Sequence, residues 1–283
     1  MKELYQKNVY QKIGRILKEA DAILIGASNG LSITEGLHLF AENDAFYQLF
    51  GDYSQKYGFQ CLLHGMMNAW PTEEEKWGFW SRLIHHYCGR YHTTETMRNL
   101  RSLTEEKDCF VITSNGECHF EMSGFAAERV YEIEGTWLSM QCADACHTKL
   151  YPVLELAEQM AAAQKQGMVP TELLPRCPVC GGAMKIHMDD GQNFITDEEA
   201  KERFFAFLKR NHGKKLAILE LGIGWRNQLI KAPLMKLAES EPQASYITVN
   251  LGEVFIPDSI REKSIGVNGD IAETLQRILD ADL

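Results

Sequence analysis

Four cysteines occur as two short pairs that can share one metal ion. Cys142 and Cys146 are separated by three residues, and Cys177 and Cys180 by two. Thiolates at this spacing chelate a single ion, and two such pairs complete a tetrahedral zinc site. Because four sulfurs leave no open coordination position, we expect a structural zinc ion. Buried or disulfide-paired cysteines are the alternative, and His147 is interpreted as a bystander next to Cys146.

A segment of small residues can hold the phosphates of a nucleotide. Gly26-Ala27-Ser28-Asn29-Gly30 follows a short apolar run and precedes a helical pattern. Small residues let the backbone approach a pyrophosphate, whose charge the start of a helix favours. The segment lacks the full G-x-G-x-x-G pattern, so an ordinary strand-to-helix turn is an equally good explanation of this segment alone.

Other polar or glycine-containing segments also follow apolar runs. They comprise residues 113–117, 221–225, 249–251 and 266–270. If the runs are parallel strands, these segments lie together at the carboxyl edge of one sheet, where such sheets bind ligands. Together with the segment after residue 25, they predict an NAD-type nucleotide pocket.

The elements that would position these residues predict an α/β fold. Helical patterns separate short, continuous apolar runs, which favours a doubly wound, Rossmann-like parallel sheet over an antiparallel sandwich. A capping-box pattern starts a helix at Thr72 and another near Thr196. The predicted strands are residues 22–26, 109–113, 130–133, 216–221, 246–251 and 264–267.

Two stretches interrupt the alternation of strands and helices. The first is a helical insertion rich in aromatic residues, and the second contains the paired cysteines. We therefore predict three domains. The Rossmann-like NAD-binding domain would comprise residues 1–36, 105–139 and 197–283, the helical insertion residues 37–104, and the zinc module residues 140–196.

The composition excludes several classes of protein. A formal charge of −10 argues against a nucleic-acid binder, which would need a basic face. We find no apolar run long enough for a membrane span, and the first residues do not resemble a signal peptide. Eight cysteines without a secretion signal suggest a reducing compartment, so we expect a cytoplasmic protein.

In their order and spacing, these segments resemble the Sir2 (sirtuin) family of NAD-consuming enzymes. The resemblance covers nearly the whole chain. It is strongest to the microbial branch that is associated with macrodomain proteins and protein ADP-ribosylation. It rests on the cysteine pairs and on Phe50-Gly51-Asp52-Tyr53, Glu75-Lys76-Trp77, Thr113-Ser114-Asn115, Ser123-Gly124-Phe125 and Glu220-Leu221-Gly222-Ile223-Gly224.

The resemblance implies roles for individual residues. NAD would be the co-substrate, and zinc would bind the four cysteines. Asn115 matches the asparagine that sirtuins place near the nicotinamide ribose, and it joins Glu117 and Glu134 as a candidate catalytic residue. The implied NAD-binding residues are Gly26, Ala27, Ser28, Gly30, Ser32, Ser114, Asn115, Gly222, Ile223, Gly224, Asn250, Gly269 and Asp270.

The chain departs from the family pattern at three of these positions. Ser28 replaces a usual glycine, so its side chain either donates to the phosphates or crowds them. Glu117 replaces a usual aspartate. Glu134 stands where deacylating sirtuins have histidine and where the ADP-ribosylating branch tends to have glutamine.

Glu134 has three interpretations. A carboxylate is a weak base unless burial raises its pKa from about 4.3. It is better suited to stabilising positive charge at a ribosyl carbon. Alternatively, it faces solvent at a strand end. Glu132 would share its strand face, and repulsion would raise a pKa if both carboxylates entered the pocket. His119 is interpreted as structural.

The aromatic residues of the insertion also have two interpretations. We favour a core for the helical lobe, and the alternative is that some of them line a channel for the protein acceptor, which sirtuins receive between their two lobes. The residues concerned are Trp70, Trp77, Phe79 and Trp80.

Our leading hypothesis is an NAD-dependent protein ADP-ribosyltransferase. The resemblance further suggests a lipoylated carrier protein as acceptor and a macrodomain protein as partner. An NAD-dependent lysine deacylase is the first alternative, and the lack of histidine at position 134 weighs against it. A catalytically weak NAD-binding sensor or scaffold is the second.

Overall fold

The computed structural model describes residues 2–281. Its strands are β1 (Ala22–Ala27), β2 (Asp108–Thr113), β3 (Val130–Glu132), β4 (Gly135–Cys142), β5 (Tyr151–Pro152), β6 (Met184–Met188), β7 (Leu216–Leu221), β8 (Ser245–Asn250) and β9 (Ser264–Asn268). Its α-helices are α1 (Lys2–Glu19), α2 (Asn29–Thr34), α3 (Asp44–Tyr57), α4 (Leu62–Met66), α5 (Glu73–Ile84), α6 (Glu95–Ser102), α7 (His119–Met122), α8 (Leu154–Ala163), α9 (Glu198–Arg210), α10 (Gln228–Ser240) and α11 (Ile271–Ala281). A short π-helix, His85–Gly89, follows α5, and 3₁₀ helices lie at Ala127–Arg129, Thr171–Leu173 and Asp258–Lys263.

Six strands form one parallel sheet in the order β3-β2-β1-β7-β8-β9. Every residue of β1 and β7 is buried, which explains why their sequences, apart from Glu220 in β7, are apolar and do not alternate. The chain first builds the sheet outward from β1 to β3 and then resumes on the other side of β1 with β7. The predicted doubly wound fold is therefore confirmed, with its topological switch point between β1 and β7.

Helices cover both faces of this sheet. Helices α1, α6 and α11 pack over one face, and α9 and α10 pack over the other. Ile13 of α1 and Leu275 of α11 are fully buried in the first layer, as are Phe207 of α9 and Ile230 of α10 in the second. The sheet is thus held rigidly between two helical layers, so the loops at its carboxyl edge start from fixed positions.

The remaining helices share a second core with a small antiparallel sheet of order β5-β4-β6. Trp77, Phe79 and Trp80 lie in this core with at most 4% of their surface exposed, in agreement with the favoured interpretation of the aromatic residues. β4 starts at Gly135, just after β3, so a two-residue turn joins the large sheet to the small one. The limits given above for the three domains stay predictions.

Both predicted helix starts occur, with one difference in the cap. The Thr72 hydroxyl accepts a hydrogen bond from the Glu75 amide at the start of α5. At α9 the cap is Asp197, which accepts from the Ala200 amide at 2.8 Å, and Thr196 does not serve as the cap. The positive end of the helix dipole also stabilises a carboxylate at this position.

Within residues 2–281, no helix combines the length and the apolar character that crossing a bilayer requires.

Candidate active site

A cavity of about 330 Å³ opens at the carboxyl ends of β1 and β2, beside the switch point of the sheet. Ala27, Thr113 and Leu221 end their strands in the same register, so the segments that follow them meet there. The cavity is lined by Ser28, Asn29, Leu39, Phe40, Leu63, Met66, Met67, Ser114, Asn115, Gly116, Glu117, Glu134, Gly135, Trp137, Met188, Asp189 and Asn227. Five of the predicted site residues are among them. We call the part with Ser28, Ser114 and Asn227 the polar end, and the part with Glu117 and Glu134 the acidic end.

At the polar end, three uncharged side chains form a hydrogen-bond network. The Ser114 hydroxyl donates to the Ser28 hydroxyl at 3.0 Å. The Asn227 amide nitrogen donates to both hydroxyl oxygens at 2.9 Å. These bonds hold the Ser28 oxygen in place and leave its own proton for an acceptor in the cavity. Asn227 immediately precedes α10, and sequence reasoning did not select it.

The backbones behind the polar end touch at two glycines. The Gly30 amide donates to the Gly222 carbonyl at 2.9 Å. A Cβ atom on Gly30 would lie 2.4 Å from the Gly222 Cα, so no side chain fits at this crossing. Gly222 also has a φ of +65°, which disfavours any other residue. The Asn29 Oδ1 atom nearby is buried without a hydrogen-bond partner in the described part of the chain. This close backbone approach and this unpaired acceptor fit a polar ligand such as a dinucleotide.

Two residues of the predicted phosphate loop lie in the packed interior and not at the cavity. A Cβ atom on Gly26 would lie 2.2 Å from the Leu234 side chain, so this glycine makes room for α10. Ala27 is fully buried in the sheet core. Neither residue lines the cavity, and the smallness that the motif requires here serves the packing of strand against helix.

The other predicted nucleotide contacts lie at neighbouring strand ends, outside the cavity lining. The Gly269 amide donates to the Asn250 carbonyl, which joins the ends of β8 and β9. The Asp270 carboxylate caps α11 by accepting from the Glu273 amide. Ile223 is fully buried, and Gly224 continues the loop after β7. The structure therefore places these residues along the same sheet edge as the cavity.

Asn115 is held by the loop that ends β1. Its side-chain nitrogen donates to the Ser28 carbonyl at 3.1 Å, and its backbone amide donates to the Thr113 hydroxyl at 3.0 Å. The side chain is thereby fixed between the polar and the acidic ends.

Glu117 is buried at the acidic end, with 4% of its surface exposed. The Ser32 hydroxyl donates to its carboxylate at 2.5 Å. Burial raises the pKa of Glu117 to about 7, although the Ser32 hydrogen bond opposes the rise. A carboxyl group with this pKa can give or accept a proton near neutral pH. Ser32 does not line the cavity and acts through Glu117.

Glu134 lines the cavity and does not simply face solvent. It occupies the turn between β3 and β4, and its carbonyl accepts from the Asp189 amide. Burial, and next the charge of Asp189, raise the pKa of Glu134. Glu132 does not line the cavity. It bonds with Cys118 and Thr136, and its pKa is raised well above the usual value by burial and by Glu121.

Comparison with known proteins relates this geometry to a family. The chain is 30% identical over 271 residues to a protein ADP-ribosyltransferase of Staphylococcus aureus, and the match covers 94% of this chain and 85% of that one. A solved sirtuin superposes with a TM-score of 0.61 at 17% identity, covering 95% of this chain and 98% of the other. The chain belongs to the sirtuin family of protein ADP-ribosyltransferases. As predicted, it is an NAD-dependent transferase.

A second relative of this sirtuin is longer. The chain is 28% identical over 280 residues to a probable bifunctional ADP-ribose hydrolase/ADP-ribosyltransferase of Fusarium oxysporum f. sp. cubense. The match covers 93% of this chain but only 46% of that protein. No family model matches the chain.

The four cysteines of this sirtuin form one cluster at the end of its small sheet. The sulfurs of Cys142 and Cys180 are 3.7 Å apart, and those of Cys146 and Cys177 are 3.6 Å apart. All four lie within 4.8 Å of one another. Four sulfurs at about 2.3 Å from a zinc ion are about 3.8 Å apart, so the cluster fits tetrahedral zinc. His147 hydrogen-bonds to the Cys177 sulfur at 3.3 Å and lies beside the four-sulfur cluster.

Sequence reasoning missed the apolar wall of the cavity. It is formed by Leu39, Phe40, Leu63, Met66, Met67 and Trp137. Phe40 and Met67 are each 57% exposed, and with the other four they form an apolar patch of the kind that marks a binding surface. These apolar residues come from three separate parts of the chain, the segment before α3, helix α4 with Met67, and strand β4, so no local pattern signals the wall. They become a wall only when the helical lobe packs beside the sheet.

His119 is not part of the cavity lining. Its ring stacks on Tyr91 with centroids 3.8 Å apart, and its Nε2 atom bonds with the Tyr87 carbonyl. Burial lowers its pKa, so the ring is neutral near pH 7. The structural interpretation of His119 fits this environment.

Proposed function

We propose that this sirtuin transfers ADP-ribose from NAD to a protein acceptor and releases nicotinamide. One observation carries the proposal. Asn115, Glu117 and Glu134, which the sequence selected as the catalytic residues, line a single cavity with the polar residues that could bind a dinucleotide. The name of the S. aureus relative agrees with this activity.

The polar end and the glycine crossing would bind NAD. The Ser28 hydroxyl, held in place by Ser114 and Asn227, offers a neutral donor to the phosphates, and the Gly30–Gly222 contact lets the backbone lie close to them. The adenosine half would follow the sheet edge past Asn250 and Asp270. The same network supports the idea that Ser28 donates to the phosphates, because its proton is the one left free.

The acidic end would carry the chemistry. NAD supplies an ADP-ribosyl group whose anomeric carbon becomes positively charged as nicotinamide leaves. The Glu134 carboxylate would stabilise that charge. Asn115 would hold the ribose through its fixed amide. Glu117, with a pKa of about 7, would accept the proton that the acceptor loses when it is modified.

The apolar wall supports an acceptor with a long, flexible, apolar arm. A lipoyl group is an eight-carbon chain on a lysine side chain, and methionine side chains adapt well to such a chain. We therefore propose a lipoylated carrier protein as the acceptor. We also propose a macrodomain protein as partner, since the Fusarium relative's name joins ADP-ribose hydrolysis to transfer in one chain. The cytoplasmic location stays a prediction.

A transfer assay on two forms of one carrier tests the proposal. The enzyme is incubated with NAD labelled on its adenylate, with the carrier either lipoylated or carrying an unmodified lysine. We expect label on the lipoylated form alone, with one nicotinamide released for each label bound. Asn115→Ala and Glu134→Ala should each reduce labelling, while Glu128→Ala, at an exposed position, should not.

Two results would contradict the proposal. Nicotinamide release that accompanies loss of acyl groups from acetyl-lysine peptides would make the chain a deacylase. Saturable NAD binding with neither label transfer nor nicotinamide release would leave the sensor or scaffold function.

A further inference from the structure

A buried ion pair lies directly beneath the loop that crosses Gly30. The Lys231 ammonium of α10 is 2.5 Å from the Glu220 carboxylate of β7. Their side chains are 2% and 0% exposed. An isolated charge at such depth would be strongly destabilising, so the pair requires further partners to be tolerated.

Those partners come from a neighbouring strand and from the loop itself. The hydroxyl groups of Tyr246 and Thr248, both in β8, donate to the Glu220 carboxylate. The Lys231 ammonium donates in addition to the Ile223 carbonyl at 3.0 Å. Ile223 directly follows Gly222. The ammonium group is therefore a clamp between strand β7 and the loop that leaves it.

The same helix connects the clamp to the cavity. Asn227 precedes Lys231 by one helical turn, and the Lys231 amide donates to the Asn227 carbonyl. The Asn227 side chain reaches Ser28 and Ser114 at the polar end. A shift of Lys231 would therefore move both the backbone beside Gly222 and the amide at the polar end.

Stability alone is a poor explanation for this arrangement. Two well-packed apolar side chains of similar volume are often as stable as a buried ion pair. What apolar residues cannot supply is a directional bond to the Ile223 carbonyl. All six residues of β7 are buried, and Glu220 is the one that is not apolar.

We propose that Lys231, oriented by Glu220, is a positioning residue for NAD. It fixes the loop from Gly222 to Asn227 so that the glycine crossing and the Asn227 amide are in place before NAD binds. This inference rests on the proposed function, because it assigns NAD to the polar end. Lys231 does not line the cavity and acts only through Ile223 and Asn227.

Two matched variants test the clamp, and the double variant leaves no buried charge unpaired. Glu220→Gln keeps a group that can accept from Tyr246 and Thr248, and it keeps the Lys231 bond to Ile223. Glu220→Gln combined with Lys231→Met removes both charges and the bond to Ile223. We expect the double variant to raise the KM for NAD about tenfold, the size of one hydrogen bond from a charged donor. Glu220→Gln alone should raise it less than threefold.

The readouts separate positioning from folding. Nicotinamide release at saturating NAD should change less than twofold in the double variant, and NAD binding by calorimetry should weaken in parallel with KM. The control is Asp52→Asn with Arg82→Met, which removes an ion pair of the helical lobe with a distance of 2.7 Å. It should leave the KM for NAD unchanged.

The outcomes distinguish this inference from the proposed function. A double variant that binds NAD like the wild type, or a Glu220→Gln variant with the same tenfold rise, would overturn the clamp. A wild-type protein that binds no NAD would overturn both. If the double variant does not fold, Tyr246→Phe and Thr248→Val weaken the support of Glu220 in steps. The KM for NAD should then rise with each step at constant turnover, and an unchanged KM would reject the clamp.

Discussion

The cysteine cluster and the acidic end of the cavity solve the same physical problem differently. Each contains ionisable side chains whose charged forms are costly unless something balances or neutralises them. The four thiols surround a space of the right size for a zinc ion, so a cation can balance their charge. No lysine or arginine is among the cavity-lining residues in the described part of the chain, and burial raises the pKa values of Glu117 and Glu134. A metal ion would stabilise the first cluster, whereas at the second burial favours the protonated form of Glu117 below about pH 7.

Of the two regions, the cysteine cluster should show the larger loss of stability, when its metal is removed. Cys142→Ser removes a fully buried ligand, so zinc should be lost and the small sheet should unfold from the second core. We expect the free energy of unfolding to fall by more than about 3 kcal/mol, because metal binding contributes directly to folding. Zinc content by mass spectrometry and thermal melts measure this. Cys61→Ser, at an isolated buried cysteine, should keep one zinc per chain. A Cys142→Ser protein with full zinc content and an unchanged melt would refute the metal centre.

The second prediction concerns protons at Glu117. Its folded pKa of about 7 lies above the value of about 4.5 expected in the unfolded chain. Between these values the folded state binds more protons, so stability falls as pH rises through this window. The loss reaches about 3 kcal/mol above pH 7. Glu117→Gln removes it, so the variant should be no more stable than the wild type at pH 4.5 but clearly more stable at pH 8.

Urea unfolding of both proteins at several pH values measures this difference. Glu128→Gln, at an exposed position, should follow the wild type at every pH. A constant difference between Glu117→Gln and the wild type would show that folding does not raise the pKa of Glu117. The buried Glu117 carboxylate would then have to be stabilised by something other than a bound proton.

The third prediction separates the charge of Glu134 from its shape. Glu134→Ala should lower the rate of nicotinamide release about 100-fold, as removal of one electrostatic stabiliser typically does. Glu134→Gln should lower it only about tenfold, because a carbonyl dipole remains. Asp189→Asn should lower the pKa of Glu134, since the Asp189 charge helps to raise it. Equal rates in the wild type and Glu134→Ala would restore the interpretation of a solvent-facing residue.

Sequence predicted what depends on local patterns. Continuous apolar runs revealed the six parallel strands, and two short spacings revealed the thiol cluster. The expectation that Glu132 and Glu134 share one strand face was wrong, because β3 ends at Glu132 and Glu134 lies in the turn that follows. Glu134 therefore enters the cavity while Glu132 turns to Cys118 and Thr136.

Contacts between distant segments were beyond the reach of the sequence. Asn227 reaches Ser28 only because β7 lies beside β1. The apolar wall exists only because the helical lobe packs near the sheet edge, and Met67 alone carries no sign of it. The buried Glu220 interrupts an apolar strand pattern, which was a visible anomaly. Its partner on α10 was not visible, because helix-to-strand pairing depends on the tertiary packing.

The smallest predicted effect lies at the polar end, where no charges need balancing. Ser28 has an extended backbone with a φ of −146°, so a glycine is not required there for conformational reasons. Its hydroxyl oxygen accepts from Ser114 and Asn227, which leaves its proton for a phosphate. Ser28→Gly should therefore raise the KM for NAD about threefold, the size of one neutral hydrogen bond, at unchanged turnover. A lower KM would mean that the hydroxyl crowds the phosphates. The polar end would then bind NAD mainly through its backbone. It would differ from the acidic end in the room that it leaves for the ligand, and not in the hydrogen bonds that its side chains offer.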